Sequence, residues 1–296
     1  MIMPKISICI PTYNRKNILP FAIESVLAQS YKDYEIVVVD DGSTDGTEEM
    51  IKASGYDLRY YKVEHIGQQP CRNKLIELAK GEYIAFLDSD DVLFPYALEI
   101  LIDAINKNGP DVIAYGPYIG MDESGRDIPK PLPKMPSGFI TTELFEFIYV
   151  HTCGNLIAKR VYQEMGGFDP NMKRCGFYKS LLELSLKYKF VGVDKPTFKK
   201  RRHIGNAIER NYSWRKMELD VLENFYYNKG GKNIVPFDRA MRRLSKEAYR
   251  AGVCAVKEGL RTEALQMLGQ SLKQYFNAKS LVWYVIATAR LHRALW

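Results

Sequence analysis

The feature that most constrains the fold of this chain is the alternation of strand-like and helix-like segments through residues 1–115. Apolar runs at 6–10, 35–39 and 83–87 are typical of strands that are covered on both faces. Between these runs, apolar residues recur at the spacing of an amphipathic helix. The alternation predicts an α/β fold built on a mostly parallel, doubly wound sheet.

Polar clusters follow three of the predicted strands, at 11–15, 40–47 and 88–91. In open α/β sheets, ligands bind outside the carboxyl ends of the strands. Because the carboxyl ends of parallel strands meet at the same edge, we expect all three clusters to converge there. The sequence therefore predicts a ligand site at this edge.

Three carboxylates within four residues, those of Asp88, Asp90 and Asp91, come directly after the strand at 83–87. Like charges this close destabilise one another unless a cation neutralises them, and Mg²⁺ or Mn²⁺ prefers carboxylate oxygens as ligands. A second interpretation is a helix N-cap, in which Asp90 or Asp91 caps a helix that Pro95 helps to start. Taken alone, the cluster leaves both interpretations open.

The middle of the chain has a less regular pattern. Four prolines between positions 129 and 136 predict an irregular segment over 116–137, either a mobile loop near the site or a plain surface excursion. A strand at 155–158, helices at 159–165 and 177–188 and a strand at 190–193 are expected to follow.

From about residue 207 onward the pattern indicates helices only, so we expect an α/β domain over 1–206 and a helical region over 207–296. Small residues between 248 and 272 recur at helix-crossing spacing, which resembles one tetratricopeptide-like helix pair. The segment 281–287 is apolar and precedes several basic residues. A docked terminal helix is the favoured interpretation, and a helix lying on a membrane surface is the alternative.

Composition restricts the environment and the partners. The formal charge of +7 suggests an anionic partner, but no recognised nucleic-acid-binding module is present, so nucleic acid is not expected. Five scattered cysteines without a CxxC pair indicate a reducing compartment. No run reaches the roughly 18–20 apolar residues that span a bilayer, and no signal peptide is expected before the first strand. We expect a cytoplasmic protein, with peripheral contact at the inner face of the membrane as an alternative.

Five motifs follow one another along the chain: SICIPTYNR at 7–15, VVDDGSTDGT at 38–47, CRN at 71–73, GEYIAFLDSDD at 81–91 and GGFD at 166–169. In this order and spacing they resemble the motifs of the family 2 glycosyltransferases, which have the GT-A fold, a Rossmann-like doubly wound mixed sheet. The resemblance covers residues 5–206, and the helical region follows it as a C-terminal extension.

The resemblance implies a donor site for a nucleoside-diphosphate sugar, and a UDP-sugar is expected. By resemblance, Pro11 and Tyr13 flank the base, Asp41 accepts a hydrogen bond from the imide N–H of the base, and Arg72 lies near the base and phosphates. The Asp-x-Asp motif aims its first carboxylate at the ribose and its last at Mn²⁺ or Mg²⁺. The remaining implied site residues are Asp88 and Ser89 for the nucleotide sugar, and Asp90 and His203 for the metal.

The family usually places a Glu-Asp pair after the Gly-Gly-Phe-Asp turn, where one carboxylate takes the proton from the acceptor hydroxyl. Here Gly176 and Phe177 stand at those positions, and residues 170–182 contain no carboxylate. Glu183 lies about two helical turns further on, and Asp169 is expected to shape its turn. Three acidic residues of the irregular segment could swing in, although no pattern favours them: Asp122, Glu123 and Asp127. The catalytic base is therefore unassigned.

Two hypotheses about function stay open on the sequence alone. The first is a metal-dependent, inverting hexosyltransferase that acts on a saccharide or lipid-linked acceptor in surface polysaccharide or glycolipid synthesis. The second is a catalytically impaired relative that binds nucleotide sugar and serves as a binding or assembly partner. Both predict UDP binding that requires Mn²⁺ or Mg²⁺, and only the first predicts turnover.

Overall fold

A computed structural model describes residues 4–172, 174–202 and 211–289. The chain divides into two compact units, Met1–Ile140 with Tyr149–His203 and Thr141–Ile148 with Ile204–Trp296. The predicted domain boundary at residue 206 lies outside the described residues and stays a prediction.

The elements are numbered in chain order. The strands are β1 Ile6–Thr12, β2 Tyr34–Asp40, β3 Arg59–Lys62, β4 Tyr83–Phe86, β5 Val92–Leu93, β6 Val112–Tyr115, β7 Tyr118–Met121, β8 Asp127–Ile128, β9 Asn155–Ala158, β10 Lys189–Gly192 and β11 Phe198–Arg201. The helices are α1 Leu19–Leu27, α2 Thr47–Ser54, α3 Gln68–Leu78, α4 Ala97–Asn108, α5 Thr141–Glu146, α6 Lys159–Glu164, α7 Gly176–Ser185, α8 Tyr212–Asn228, α9 Phe237–Lys257, α10 Arg261–Gln274 and α11 Ala278–Ala289.

The main sheet of the first unit has seven strands in the order β10-β6-β9-β4-β1-β2-β3. All pairings are parallel except those of β9, which runs antiparallel to both of its neighbours. Helices separate the successive parallel strands in the sequence, as the alternation of patterns predicted. The doubly wound mixed sheet with C-terminal helices is therefore confirmed.

The central strands are apolar because both of their faces are covered. Ile8 in β1, Val37 in β2 and Ile84 in β4 are completely buried, and their neighbours on the opposite faces of the same strands are at most 3% exposed. A parallel sheet in this position buries continuous hydrophobic runs rather than alternating ones. This burial fixes the strands, and hence the edge at which their carboxyl ends meet.

A second, smaller sheet has the order β5-β11-β7-β8 and corrects two expectations. The segment 116–137 is not irregular throughout, because β7 pairs in parallel with β11 and in an antiparallel manner with β8. The four prolines at 129, 131, 133 and 136 all lie after β8. The proline-rich stretch that disfavours regular structure is therefore shorter than predicted. The helix-cap interpretation of the carboxylate cluster is also wrong, since β5 follows the cluster and α4 begins at Ala97 without a side-chain cap.

In the part of the second unit that the structure describes, the elements are α5, α8 to α11 and a short 3₁₀ turn at Gly231–Asn233. Helices α9 and α10 pack closely through small residues, among them Ala248, Ala251 and Ala264, which are all fully buried. Gly252 shows why small residues are needed, because a Cβ atom there would lie 2.6 Å from Cγ of Leu268.

We expect Gly252→Ala to destabilise the chain by about 1–3 kcal/mol, because an added methyl group overpacks the α9–α10 contact. Gly269→Ala in α10 is the matched control. Its Cβ would meet only the Tyr284 ring, at an ordinary 3.5 Å. The higher helix propensity of alanine predicts a neutral effect or a gain of up to about 1 kcal/mol there. Chemical denaturation measures both; equal effects would contradict the close packing at Gly252.

Helix α11 buries only part of its surface. Ala287 joins a cluster with Ala255, Val256, Ala264 and Leu268, and Trp283 and Tyr284 pack against that cluster. A further set of apolar side chains on the same helix is exposed: Leu281, Val282 and Val285. The docked terminal helix agrees with the first set, while membrane contact through the second stays a prediction. Among the described residues, no helix combines the length and the apolar character that crossing a membrane requires.

Candidate functional site

The polar clusters that the sequence predicted to converge follow β1, β2 and β4, which are neighbours in the sheet. The register aligns Thr12 of β1 with Asp40 of β2, and the Asp41 N–H donates to the Thr12 carbonyl oxygen at 2.8 Å. Strand β3 ends at the same edge and leads into residues 63–67 and helix α3. Four consecutive parallel strands of the chain therefore contribute to one polar edge.

At one end of this edge, Tyr13, His65 and Asp41 form a cluster. The rings of Tyr13 and His65 lie with their centroids 4.4 Å apart at an interplanar angle of 31°. His65 Nδ1 lies 3.0 Å from Asp41 Oδ2. Tyr13 remains 44% exposed, so His65 leaves part of its ring open to a planar ligand. Pro11 precedes this cluster as the penultimate residue of β1.

Asp41 also fixes the start of α3. Its Oδ1 atom accepts hydrogen bonds from the Ile66 N–H at 2.7 Å and from the Gly67 N–H at 3.1 Å. Gly67 has a φ angle of +94°, which favours glycine at this sharp entry into the helix. Because the Asp41 carboxylate is buried and tied to two backbone N–H groups, its position is set by the fold.

Helix α3 carries buried polar side chains along the site. The guanidinium of Arg72 is only 4% exposed, and its Nη2 donates to Asp88 Oδ1 at 3.1 Å, while its Nε has no hydrogen-bond partner. Asn73 donates to the Phe168 carbonyl oxygen at 2.8 Å and accepts from the Phe168 N–H at 2.7 Å. Asn73 thereby joins α3 to the Gly-Gly-Phe-Asp turn, and Arg72 joins α3 to the carboxylate cluster.

The carboxylate cluster has a buried member and two more accessible ones. Asp91 is buried; its Oδ1 accepts the Arg201 N–H at 3.0 Å, and its Oδ2 accepts the Cys153 S–H at 3.3 Å. The Asp88 and Asp90 side chains retain 32% and 22% exposure. Asp90 lies 3.4 Å from the Arg15 guanidinium, and its carbonyl oxygen accepts the Arg201 Nε–H at 3.1 Å. Asp91 thus supports the turn that presents the other two carboxylates.

The carboxylate cluster offers oxygen ligands of the kind that a hard divalent cation prefers. Ligating atoms of Asp88, Asp91 and Cys153 lie within 4.8 Å of one another. Burial, together with the charges of Asp88 and Asp91, raises the pKa of the Cys153 thiol well above its usual value, so the sulfur stays protonated and is a poor ligand. The more exposed carboxylates of the turn are those of Asp88 and Asp90, and carboxylate oxygens suit Mg²⁺ or Mn²⁺.

The buried Asp91 carboxyl predicts a pH-dependent stability. Burial and the charges of Asp88 and Asp90 raise its pKa from 3.8 to about 8. Between these values the folded state binds more protons than the unfolded state, so this group lowers stability as the pH rises. In metal-free protein with EDTA, we expect the melting temperature of Asp91→Asn relative to wild type to increase from pH 5 to pH 8, by about 2 °C or more. A difference that is equal at both pH values would contradict this titration.

The expected catalytic pair is absent from the start of α7, as the sequence indicated. Gly176 opens the helix, and the Phe177 ring packs against Phe168 with centroids 6.2 Å apart. A Cβ atom on Gly176 would lie 2.9 Å from Cδ of Gln69. The Gln69 carboxamide thus fills the space next to position 176. No local pattern indicates this contact, because the two residues are far apart along the chain.

The other acidic candidates are engaged elsewhere. Asp169 accepts the Asn171 N–H at 3.1 Å and lies 3.3 Å from Lys179 Nζ, so it shapes its turn as expected. Asp122 accepts hydrogen bonds within its own turn, which lower the pKa of its carboxyl, and Asp127 pairs with Lys199 at 2.7 Å. The Glu123 carbonyl oxygen accepts a hydrogen bond from Arg201 Nη1 at 2.9 Å, and Glu183 lies near the end of α7. The base stays unassigned.

Several residues complete the comparison of sequence and structure. Ser89 is buried in the turn between Asp88 and Asp90. His203, the predicted metal ligand, lies outside the described residues. His65 and Gln69 were missed, although His65 follows the end of β3 and the rule used for the other strand ends could have found it. No local signal pointed to Gln69.

The model of the family described as Glycosyl transferase family 2 matches residues 7–166. An uncharacterized glycosyltransferase of Rickettsia felis is 36% identical over 226 residues, which cover 74% of this chain and 37% of that protein. A Campylobacter jejuni protein named GalNAc(5)-diNAcBac-PP-undecaprenol beta-1,3-glucosyltransferase is 32% identical over 176 residues, covering 56% of this chain and 57% of its own. The chain thus spans about a third to three fifths of the length of these two relatives.

Among solved structures, the crystal structure of S. aureus TarS 1-349 in complex with UDP-GlcNAc aligns with a TM-score of 0.68. The alignment covers 98% of this chain and 92% of that one at 16% sequence identity. At this identity the likeness concerns the fold alone. It extends over the α/β part and the C-terminal helices.

Proposed function

This chain belongs to glycosyl transferase family 2, and we propose that it moves a hexose from a UDP-sugar to a hydroxyl group of an acceptor. The observation that carries the proposal is the polar edge itself. An exposed aromatic ring, a buried carboxylate, a buried guanidinium and a carboxylate cluster follow neighbouring strands there. The aromatic ring and the buried carboxylate suit a base, the guanidinium suits a diphosphate, and the carboxylate cluster suits a divalent cation.

The Tyr13–Asp41 end of the edge is proposed to bind the uracil base. The open part of the Tyr13 ring offers a stacking surface, and Pro11 lies two residues before it. An ionised carboxylate has about four lone-pair sites. Asp41 Oδ1 accepts from Ile66 and Gly67, and Asp41 Oδ2, which lies 3.0 Å from His65 Nδ1, is proposed to accept the imide N–H of uracil. Its fixed position favours one orientation of the base.

The Arg72–Asp90 end is proposed to hold the diphosphate. Arg72 supplies a fixed positive charge with an unpartnered Nε–H, and Asp88 lies next to it as the carboxylate for the ribose. Asp90 is the proposed ligand of Mn²⁺ or Mg²⁺, with Ser89 in the same turn, and His203 is a second proposed ligand. A bound cation would orient the diphosphate and neutralise the charge that develops on the leaving group.

The acceptor is proposed to be a saccharide or a lipid-linked saccharide in surface polysaccharide or glycolipid synthesis, with inversion at the anomeric carbon. The C. jejuni relative is named as a glucosyltransferase for an undecaprenol-linked glycan, which supports a lipid-linked acceptor. The exposed apolar face of α11, formed by Leu281, Val282 and Val285, supports peripheral contact with a membrane surface.

A second candidate is a nucleotide-sugar-binding protein that serves as a binding or assembly partner without turnover. Gly176 and Phe177 favour it, because neither can take a proton from an acceptor hydroxyl. This candidate shares the donor site with the first. It differs only in the fate of the bound sugar.

Two measurements on the purified chain separate these candidates. Calorimetric titration with UDP, with Mn²⁺ or with EDTA, is expected to show binding that requires the metal. UDP release from UDP-glucose and UDP-GlcNAc, alone and with extracted glycolipids, then measures turnover. Sustained release supports the transferase, and binding without release supports the second candidate. The absence of binding to any nucleoside diphosphate would overturn both.

A further inference from the structure

Gln69 has an unusual environment for a glutamine. It lies in the first turn of α3 and is only 2% exposed, yet its Oε1 atom has no hydrogen-bond partner. Buried polar atoms are normally paired, and an unpaired one lowers stability unless a ligand supplies the missing partner. An unpaired Oε1 can accept a hydrogen bond from a hydroxyl group. The atom therefore requires an explanation.

Gln69 also has a defined position relative to the rest of the site. It precedes Arg72 by three residues, so the two buried side chains share one face of α3. Asp41 binds the backbone two residues before Gln69, and Arg72 binds Asp88 one turn after it. The carboxamide thus lies between the two ends of the proposed donor site along the helix.

The opposite side of the carboxamide is the start of α7. The position of a Cβ atom on Gly176 lies 2.9, 3.0 and 3.1 Å from Cδ, Nε2 and Oε1 of Gln69. Any side chain at position 176 would have to displace the carboxamide. Cys175, one residue earlier, has a φ angle of +59°, which is strained for a residue other than glycine. The turn before α7 therefore lies directly against the carboxamide of Gln69.

We propose that Gln69 binds the acceptor hydroxyl in place of a carboxylate at position 176. This inference rests on the proposed function. Oε1 accepts the hydrogen bond of the hydroxyl and orients its oxygen toward the anomeric carbon, but an amide takes no proton. As the oxygen–carbon bond forms and the bond to the diphosphate breaks, the electron pair leaves with UDP and the hydroxyl proton passes to solvent.

The direct test is Gln69→Glu, which puts a proton acceptor where the amide stands. With Mn²⁺, UDP-GlcNAc or UDP-glucose as donor and water as acceptor, we expect UDP release to rise at least about tenfold, because a positioned general base typically contributes 10²–10⁴-fold. The dissociation constant for UDP is expected to stay within about twofold. Gln68→Glu is the matched control: it makes the same change on the preceding, exposed residue, and we expect no change in release.

A second pair of variants guards against misfolding of Gln69→Glu. In Gly176→Asp alone, the carboxamide obstructs the new side chain. In the double variant Gln69→Ala/Gly176→Asp, the space is free and the carboxylate lies at the first turn of α7, where negative charge is favoured. We expect the double variant to release UDP at least about tenfold faster than Gly176→Asp. With Gln69→Ala measured as well, the double-mutant cycle gives the coupling of the two positions.

The outcomes distinguish a failure of the role proposed for Gln69 from a failure of the proposed function. Unchanged or slower UDP release in both Gln69→Glu and the double variant, with UDP affinity retained, would overturn the role of Gln69. If the wild-type chain shows no metal-dependent binding of UDP, the proposed function is overturned instead. Faster release in either variant, without a change in the Gln68→Glu control, supports the acceptor site at Gln69.

Discussion

Asp90→Ala is expected to lower UDP affinity in the presence of Mn²⁺ by at least about tenfold and UDP release by about 10²–10³-fold. The physical reason is the loss of an accessible carboxylate that is proposed to hold the cation. Stabilisation of the leaving group by a cation is worth several kcal/mol, and each 1.36 kcal/mol is a factor of ten in rate. Titration calorimetry and a UDP-release assay measure the two effects.

Asp103→Ala is the matched control for this variant. Asp103 is an exposed aspartate on α4, outside the proposed site, so the same substitution is expected to leave UDP binding unchanged. In EDTA, wild type and Asp90→Ala are expected to bind UDP equally weakly. UDP affinity that is unaffected by Asp90→Ala in saturating Mn²⁺ would contradict the metal assignment.

Arg72→Ala is expected to weaken UDP binding by about 100-fold. Its buried guanidinium contacts Asp88 and has an Nε–H without a partner, so it is positioned to donate to the diphosphate. Charge-assisted hydrogen bonds of arginine are about twice as strong as neutral ones and are often bidentate. Arg72→Lys keeps the charge but loses the planar fork, and we expect an intermediate loss of about tenfold.

The effect of the Arg72 variants on UDP affinity can be distinguished from their effect on the stability of the fold. Arg72→Ala also leaves Asp88 without its partner, so a lower melting temperature is expected as well. Arg242→Ala, an exposed arginine in α9, is the control for loss of a helical arginine. If Arg72→Lys bound UDP as tightly as wild type, the guanidinium geometry would have no role. If Arg72→Ala did so, the phosphate assignment would be wrong.

The polar edge of the sheet could be predicted because the residues that mark it form local patterns in the sequence. Each buried strand ends in polar residues, and parallel strands place such ends together. This rule brought Tyr13, Asp41 and Asp88 to one edge without knowledge of any contact, and the register of β1, β2 and β4 confirms that edge. The roles of the individual residues within it remain predictions.

Other parts of the fold depend on contacts between distant segments. Strand β7 exists because it pairs with β11, about 80 residues later in the chain, and no local pattern announces that pairing. Asp91 differs from its neighbours only because the backbone of β11 and the thiol of Cys153 enclose it. The contact between Gln69 and Gly176 is equally long-range. These three features could not be predicted from the sequence, because each depends on contacts between distant segments.

A crystal structure of the chain with UDP and Mn²⁺ tests the central claim most directly. We expect the uracil ring against Tyr13 with its imide N–H donating to Asp41, the diphosphate near Arg72, and the cation between the diphosphate and Asp90. UDP bound elsewhere, or a diphosphate without contact to Arg72 and a cation away from Asp90, would contradict the assignment of this edge as the donor site.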